Sequence, residues 1–354
     1  MLLLIALACG NGEDTGVDAN DPTQWSVLEA GPYQVGYRTV SHEYTDPLGE
    51  IVSVRVHLWY PTEDTDGEAP LYLALEDSGS ILEASLAPSA HDGGYPVMIY
   101  SHGSYMYGHD GAYLGRRLAQ HGWVVAAPDH TGHLLTDVGD FTLPLFYHRP
   151  MDNTAALDAV EADAALGADA NTTAAVLFGY SFGGVDSWAI SGGRYDVEMF
   201  RDACDQGQLS ELDVFSEPCT DEQLSALDAD FSDTRVVAHI PAAGSRLLSY
   251  FDDLSGIHPT LLLSGTEDDR DVPQQGWDLT EGTPTTWATI EGGCHLLFAP
   301  TGCPDIDRDE GHDLISSYAL AFSRQQVLGD EGEAVSDLLS GALTPWSYVT
   351  IQAR

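Results

Sequence analysis

Short, uninterrupted apolar runs recur along this chain, each followed by a loop and a stretch of helical character. They are PVMIY at 96–100, WVVAA at 123–127, AAVLF at 174–178, RVVAHI at 235–240, PTLLLS at 259–264 and TTWATI at 285–290. Runs of this length without polar alternation suit strands buried on both faces. Between them, 111–121, 152–166, 182–191 and a segment near 312–327 read as helices. Gly122 is placed to end the first, and acidic residues open the second. Such alternation implies one mostly parallel sheet covered by helices on both faces. Upstream, YQVGYRTV at 33–40 and IVSVRVHLWY at 51–60 read as strands, punctuated by the turn DPLG at 46–49. Residues 192–234 interrupt the pattern with no sheet-like run, and predict a helical cap insertion over the sheet edge.

The 354 residues include 56 Asp and Glu against 13 basic residues, all arginine, for a net charge of −43. A chain this acidic repels nucleic acid and anionic membranes, so both are excluded as partners. Residues 1–24 read as a targeting segment and acidic linker, and 25–354 as one domain. The apolar stretch 2–8 is too short to span a bilayer. With Ala6, Leu7 and Ala8 as a cleavage-type site, it resembles a lipoprotein signal in which Cys9 becomes the lipidated terminus. The expectation is an exported protein, either a cell-envelope lipoprotein or secreted, monomeric, touching membrane only through Cys9. Four cysteines remain, and local pairing as Cys204–Cys219 and Cys294–Cys303 brackets one loop each.

The run AAVLF leads into GYSFGG, which sets Gly179, Ser181 and Gly183 at G-x-S-x-G spacing between a strand and a helix. In that setting the turn is tight enough to require glycine two residues either side, and the serine hydroxyl stands exposed. A serine needs a base, and the base needs an orienting acid. Asp268 follows one later strand and His295 the next, giving the order Ser–Asp–His. Asp269 and Asp271 are rivals for the acid, and His312 for the base. Two backbone N–H groups complete the set: Phe182, opening the helix after the serine, and Ser104, in the loop SHGS that His102 braces. The acidic loop 305–313 has alternate carboxylates that suit Ca²⁺, set against a plain solvated loop.

The segments VGYRTV…LWYPT, PVMIYSHG, LAQHGWVVAAPDH, FGYSFGG, HPTLLLSGTEDD and GGCHLLF together resemble bacterial predicted dienelactone hydrolases. They are equally similar to the platelet-activating-factor acetylhydrolase-like branch of the α/β hydrolases. The resemblance covers roughly residues 30–328. It implies an α/β-hydrolase fold, with Ser181 as nucleophile, Asp268 as acid, His295 as base and oxyanion donors at Ser104 and Phe182. It also implies hydrolysis of small or lipid-derived carboxylic esters with no cofactor or metal. The nucleophile is serine where true dienelactone hydrolases carry cysteine. Alternatives are a cutinase-like polyester hydrolase, acyl transfer by the same residues, and a non-catalytic binding lipoprotein.

Overall fold

The computed structural model describes residues 21–137, 141–209, 215 and 218–354. Cys9 and the rest of residues 1–20, most of the stretch read as a targeting segment and linker, lie outside them. Fourteen strands and eight α-helices are present among the described residues. In chain order, β1 (Gln34–Thr45) and β2 (Ile51–Thr62) precede the short β3 (Leu71–Tyr72), β4 (Leu75–Glu76) and β5 (Ile81–Leu82). Then come β6 (Tyr95–Ser101), α1 (Ala112–Gln120), β7 (Val124–Pro128), α2 (Leu145–Ala162), β8 (Ala170–Tyr180) and α3 (Phe182–Ile190). The next segment holds β9 (Arg194–Tyr195), α4 (Val197–Gln206) and α5 (Asp221–Ala226). The chain continues through β10 (Val236–Ala242), β11 (Phe251–Asp253), β12 (Thr260–Gly265), α6 (Pro273–Leu279) and β13 (Thr285–Ile290). It closes with α7 (Arg308–Leu328), α8 (Glu333–Ser340) and β14 (Val349–Ala353).

Ten strands form one sheet in the order β14-β13-β12-β10-β8-β6-β7-β2-β1-β5. Its centre, β13 to β7, is parallel throughout. The side-chain alternation of a strand sorts the core into two faces. Met98 and Tyr100 of β6 pack with α1 and α7, while Val97 and Ile99 pack with α2. A parallel centre aligns the carboxyl ends of β6, β8, β12 and β13 along one rim, where reactive groups gather in such sheets.

Helix α2 begins at Leu145 and ends at Ala162, earlier at both ends than the 152–166 read from sequence. Pro150 sits inside it, and burial of Phe146 against Phe182 and Phe200 outweighs the lost hydrogen bond. The acids of 305–313 lead into a helix. Asp307 caps α7, accepting from the N–H groups of Asp309 and Glu310, and Asp309 lies in the helix's first turn. In the 192–234 segment, Phe200, Ala203 and Leu224 pack against the face carrying α3 rather than a sheet edge. Both disulfides, Cys204–Cys219 and Cys294–Cys303, are formed. No described helix is long and apolar enough to cross a membrane.

Candidate active site

Ser181 joins β8 to α3 with φ 54° and ψ −115°, a backbone state that non-glycine residues rarely hold. The flanking glycines make this turn possible. A Cβ on Gly179 would lie 2.0 Å from the carbonyl oxygen of Gly183, and one on Gly183 2.1 Å from that of Ser101. The serine is thereby lifted to the rim between β6 and β10, the strands that flank β8.

Asp268 follows β12 and His295 follows β13. His295 Nε2 stands 2.9 Å from Ser181 Oγ, and His295 Nδ1 stands 2.8 Å from Asp268 Oδ2. A carboxylate only accepts, so Nδ1–H donates to Asp268 and the Nε2 lone pair faces the serine hydroxyl. Asp268 is held in turn by the N–H of Arg270, which donates to Oδ1 at 2.9 Å. Two of the three rivals are engaged elsewhere. Asp269 is exposed. Asp271 accepts from the N–H of Ser245 at 2.8 Å, and burial raises its pKa to about 6. His312 stacks on Tyr113 at 4.0 Å and donates to the carbonyl of Ala299.

The two backbone donors are arranged by buried neighbours. The N–H of Phe182, at the first position of α3, is among those a helix leaves unpaired. His102 Nε2 accepts from the N–H of His130 at 3.0 Å, so the proton of the neutral ring sits on Nδ1. Nδ1 donates to the carbonyl of Gly103 at 2.7 Å. That carbonyl shares its trans peptide group with the N–H of Ser104, which therefore points the opposite way from His102. Burial, with Arg149 adding to it, pushes the His102 pKa down to about 3, so the ring stays neutral. Ser104 lines the same cavity as Ser181 and His295.

Arg149, fully buried on α2, had no signal in the sequence beyond its residue type. Its Nη2 donates to the carbonyl of His102, its Nε to Asp186 Oδ2 at 2.9 Å and its Nη1 to His133 Nδ1 at 3.0 Å. The guanidinium lies 4.8 Å over the Phe182 ring. Asp186 Oδ2 also accepts from Ser101 Oγ at 2.8 Å. A charge buried this completely persists only when paired and fully hydrogen-bonded.

The cavity beside Ser181 measures about 930 Å³ and is walled by the β3–β4 hairpin, the 103–116 segment and the loop after His295. No described residue of 192–234 lines it. Leu73, Leu75, Leu135 and Leu296 stand on its lining and are exposed. The Cys294–Cys303 disulfide, directly ahead of His295, fixes the base of its loop.

No family model and no curated protein matches the chain. Among solved structures it is similar to a ferulic acid esterase from Streptomyces cinnamoneus, with a TM-score of 0.63 and 18% identity over 90% of this chain and 96% of that one. That likeness, with the ten-stranded, mostly parallel sheet, gives the chain an α/β-hydrolase fold.

Proposed function

We propose that the protein is a serine esterase that cleaves carboxylic esters through an acyl-enzyme. The observation that carries this reading is the line of hydrogen bonds from Ser181 Oγ to His295 Nε2 and from His295 Nδ1 to Asp268 Oδ2. Ser181 Oγ adds to the ester carbonyl carbon while its proton passes to His295 Nε2. The carbonyl electron pair moves onto oxygen, where the N–H groups of Ser104 and Phe182 receive the charge. Collapse breaks the bond to the alcohol oxygen, which takes the proton from His295. Water then repeats the sequence on the acyl-enzyme, releasing the acid and returning the proton to Ser181. Asp268 holds the imidazole tautomer throughout. No step calls for a cofactor. The similar structure is that of a ferulic acid esterase, which supports the same class.

For the substrate, we favour small or lipid-derived esters over a polymer. The site opens into a cavity of about 930 Å³, room for one ester with its chain, and its rim carries exposed leucines. The two disulfides suit an oxidising compartment, in line with export through a lipoprotein-type signal at Cys9. The test is Ser181→Ala. It is expected to abolish hydrolysis of a chromogenic short-chain ester and labelling by a fluorophosphonate probe, with the circular dichroism spectrum unchanged. Undiminished hydrolysis by that variant would remove Ser181 from the mechanism.

A further inference from the structure

The described residues bring His57, His109 and Asp129 together apart from the Ser181 line, with one donor atom of each within 4.8 Å of the others. His57 lies on β2, Asp129 directly after β7, and His109 in the turn after β6. We propose that these three side chains bind a divalent transition-metal ion of the zinc type. His57 Nε2 and Asp129 Oδ1 stand 3.1 Å apart. Metal bonds of about 2.0–2.1 Å to two atoms at that separation meet at roughly 100°, an angle that tetrahedral and octahedral ions both accept. The vertex therefore exists without moving either strand.

His109 supplies the third donor. Its ring is clamped between Tyr72 at 5.1 Å and Tyr107 at 4.9 Å, and stands edge-on to His57 at 5.4 Å. It has no hydrogen-bond partner among the described residues, which leaves a ring nitrogen for an ion. The turn that carries it is drawn in by Gly108. A Cβ there would lie 2.6 Å from the carbonyl oxygen of Ala127 and 2.8 Å from His57 Cδ2. The N–H of Gly108 donates to Asp129 Oδ1 at 2.9 Å. The turn is also tied by the N–H of Asp110 to the carbonyl of Tyr107 and by the N–H of Tyr107 to Asp110 Oδ2, so the approach of His109 to the other two donors is a side-chain adjustment between the tyrosines.

The outer contacts suit this assignment. Tyr37 Oη lies 2.6 Å from His57 Nδ1. When Nε2 ligates, the proton of the neutral ring sits on Nδ1 and is donated to Tyr37 Oη, which fixes the ligating tautomer. The described cation in direct contact with the group is Arg55, 3.8 Å from the other carboxylate oxygen of Asp129, and its side chain is 64% exposed, where solvent and salt screen it. Two imidazoles and one carboxylate form a donor set for Zn²⁺ or Co²⁺ rather than for Mg²⁺ or Ca²⁺. His109 lines the cavity that Ser181 also lines, so an ion has a path in.

The experiment is titration of the full, chelator-treated protein with Co²⁺, read by visible absorption, followed by displacement with Zn²⁺. One equivalent should produce the ligand-field bands of a four- or five-coordinate ion and lose them to zinc. His109→Phe keeps a ring between the two tyrosines but has no lone pair. It should leave the metal-free melting temperature unchanged and weaken Co²⁺ binding roughly 100-fold or more, with Tyr37→Phe weakening it roughly 10-fold. Absence of saturable bands at one equivalent, or equal affinity in His109→Phe, overturns the site. Neither readout depends on ester hydrolysis.

Discussion

Arg149 donates a hydrogen bond from Nη2 to the backbone carbonyl of His102, and the same guanidinium covers the ring of Phe182. The two segments assigned as oxyanion donors, 102–104 and the start of α3, are thus joined by one buried cation. Its ion pair with Asp186, one turn into α3, closes the connection through Ser101.

A shift of either N–H by a fraction of an ångström weakens the developing oxyanion's hydrogen bonds more than it weakens substrate binding. Arg149→Lys keeps the charge for Asp186 but cannot reach three acceptors in one plane. It should lower kcat roughly 100-fold with a far smaller change in KM. Affinity for a trifluoromethyl ketone, which forms a tetrahedral adduct, should fall in step with kcat. A variant whose KM rises while kcat holds would show that Arg149 serves substrate binding instead.

The elbow, both later strand ends and the pairing of the cysteines were legible in the sequence because each is local. GYSFGG needs only the strand before it and the helix after it, and TLLLSGTEDD places Asp268 by the same logic. Asp271 stays a rival to Asp268 in the sequence, since only geometry shows its carboxylate spent on Ser245. The Arg149–His102–Asp186 cluster joins residues far apart in sequence and has no spacing to detect. The start of α2 was missed because Pro150 reads as a helix breaker, and only tertiary burial of Phe146 reverses that. The cavity wall was misplaced for a related reason. Leu71 to Glu76 is a hairpin too short to show alternation, yet Tyr72, Leu73, Leu75 and Glu76 line the space beside Ser181, and no described residue of the 192–234 insertion read as a cap does.

His239 gives a test of buried histidine as an acid-sensitive element. It is fully buried on β10, facing Thr260 at 2.9 Å, and burial pushes its pKa down to about 3. The unfolded chain takes up this proton near pH 6.5, the folded one only near 3. The depressed folded value means its contribution is full above pH 6.5 and is lost progressively as pH falls toward 3. Between pH 7.5 and 5 the loss is about 2 kcal/mol. His239→Asn should therefore be destabilised at pH 7.5, and the gap to the parent should narrow by about that amount at pH 5. Urea unfolding at the two pH values measures it, and a constant gap would mean that His239 is not neutral in the fold.

The Cys294–Cys303 bond closes a short loop that starts one residue before His295. Loop closure of this size is worth at most about 3 kcal/mol. Replacing both cysteines by alanine should lower the melting temperature and, by loosening His295 relative to Ser181, reduce kcat roughly 10-fold. Fluorophosphonate labelling rates should fall with kcat. A variant with lower stability but full kcat would show that β13 and Asp268 alone fix the imidazole.

Leu73 and Leu75 are 68% and 76% exposed on the β3–β4 hairpin, and both line the cavity mouth. Leu73 holds φ 57° at the hairpin tip, a position that asparagine or aspartate fills with less strain than leucine. Local backbone chemistry thus favours a polar residue where an exposed leucine stands. An apolar ester phase is the partner that such a rim suits, each leucine being worth up to about 1.5–3 kcal/mol when buried against it. Leu73→Asp with Leu75→Asp should therefore leave kcat/KM for a soluble acetate ester within about twofold, while turnover of an emulsified glyceride falls roughly 10-fold or more. Rates on the two substrates, measured side by side, separate the cases. Equal loss on both would place the damage at the Ser181 site, and no loss on the emulsion would remove the hairpin from substrate contact.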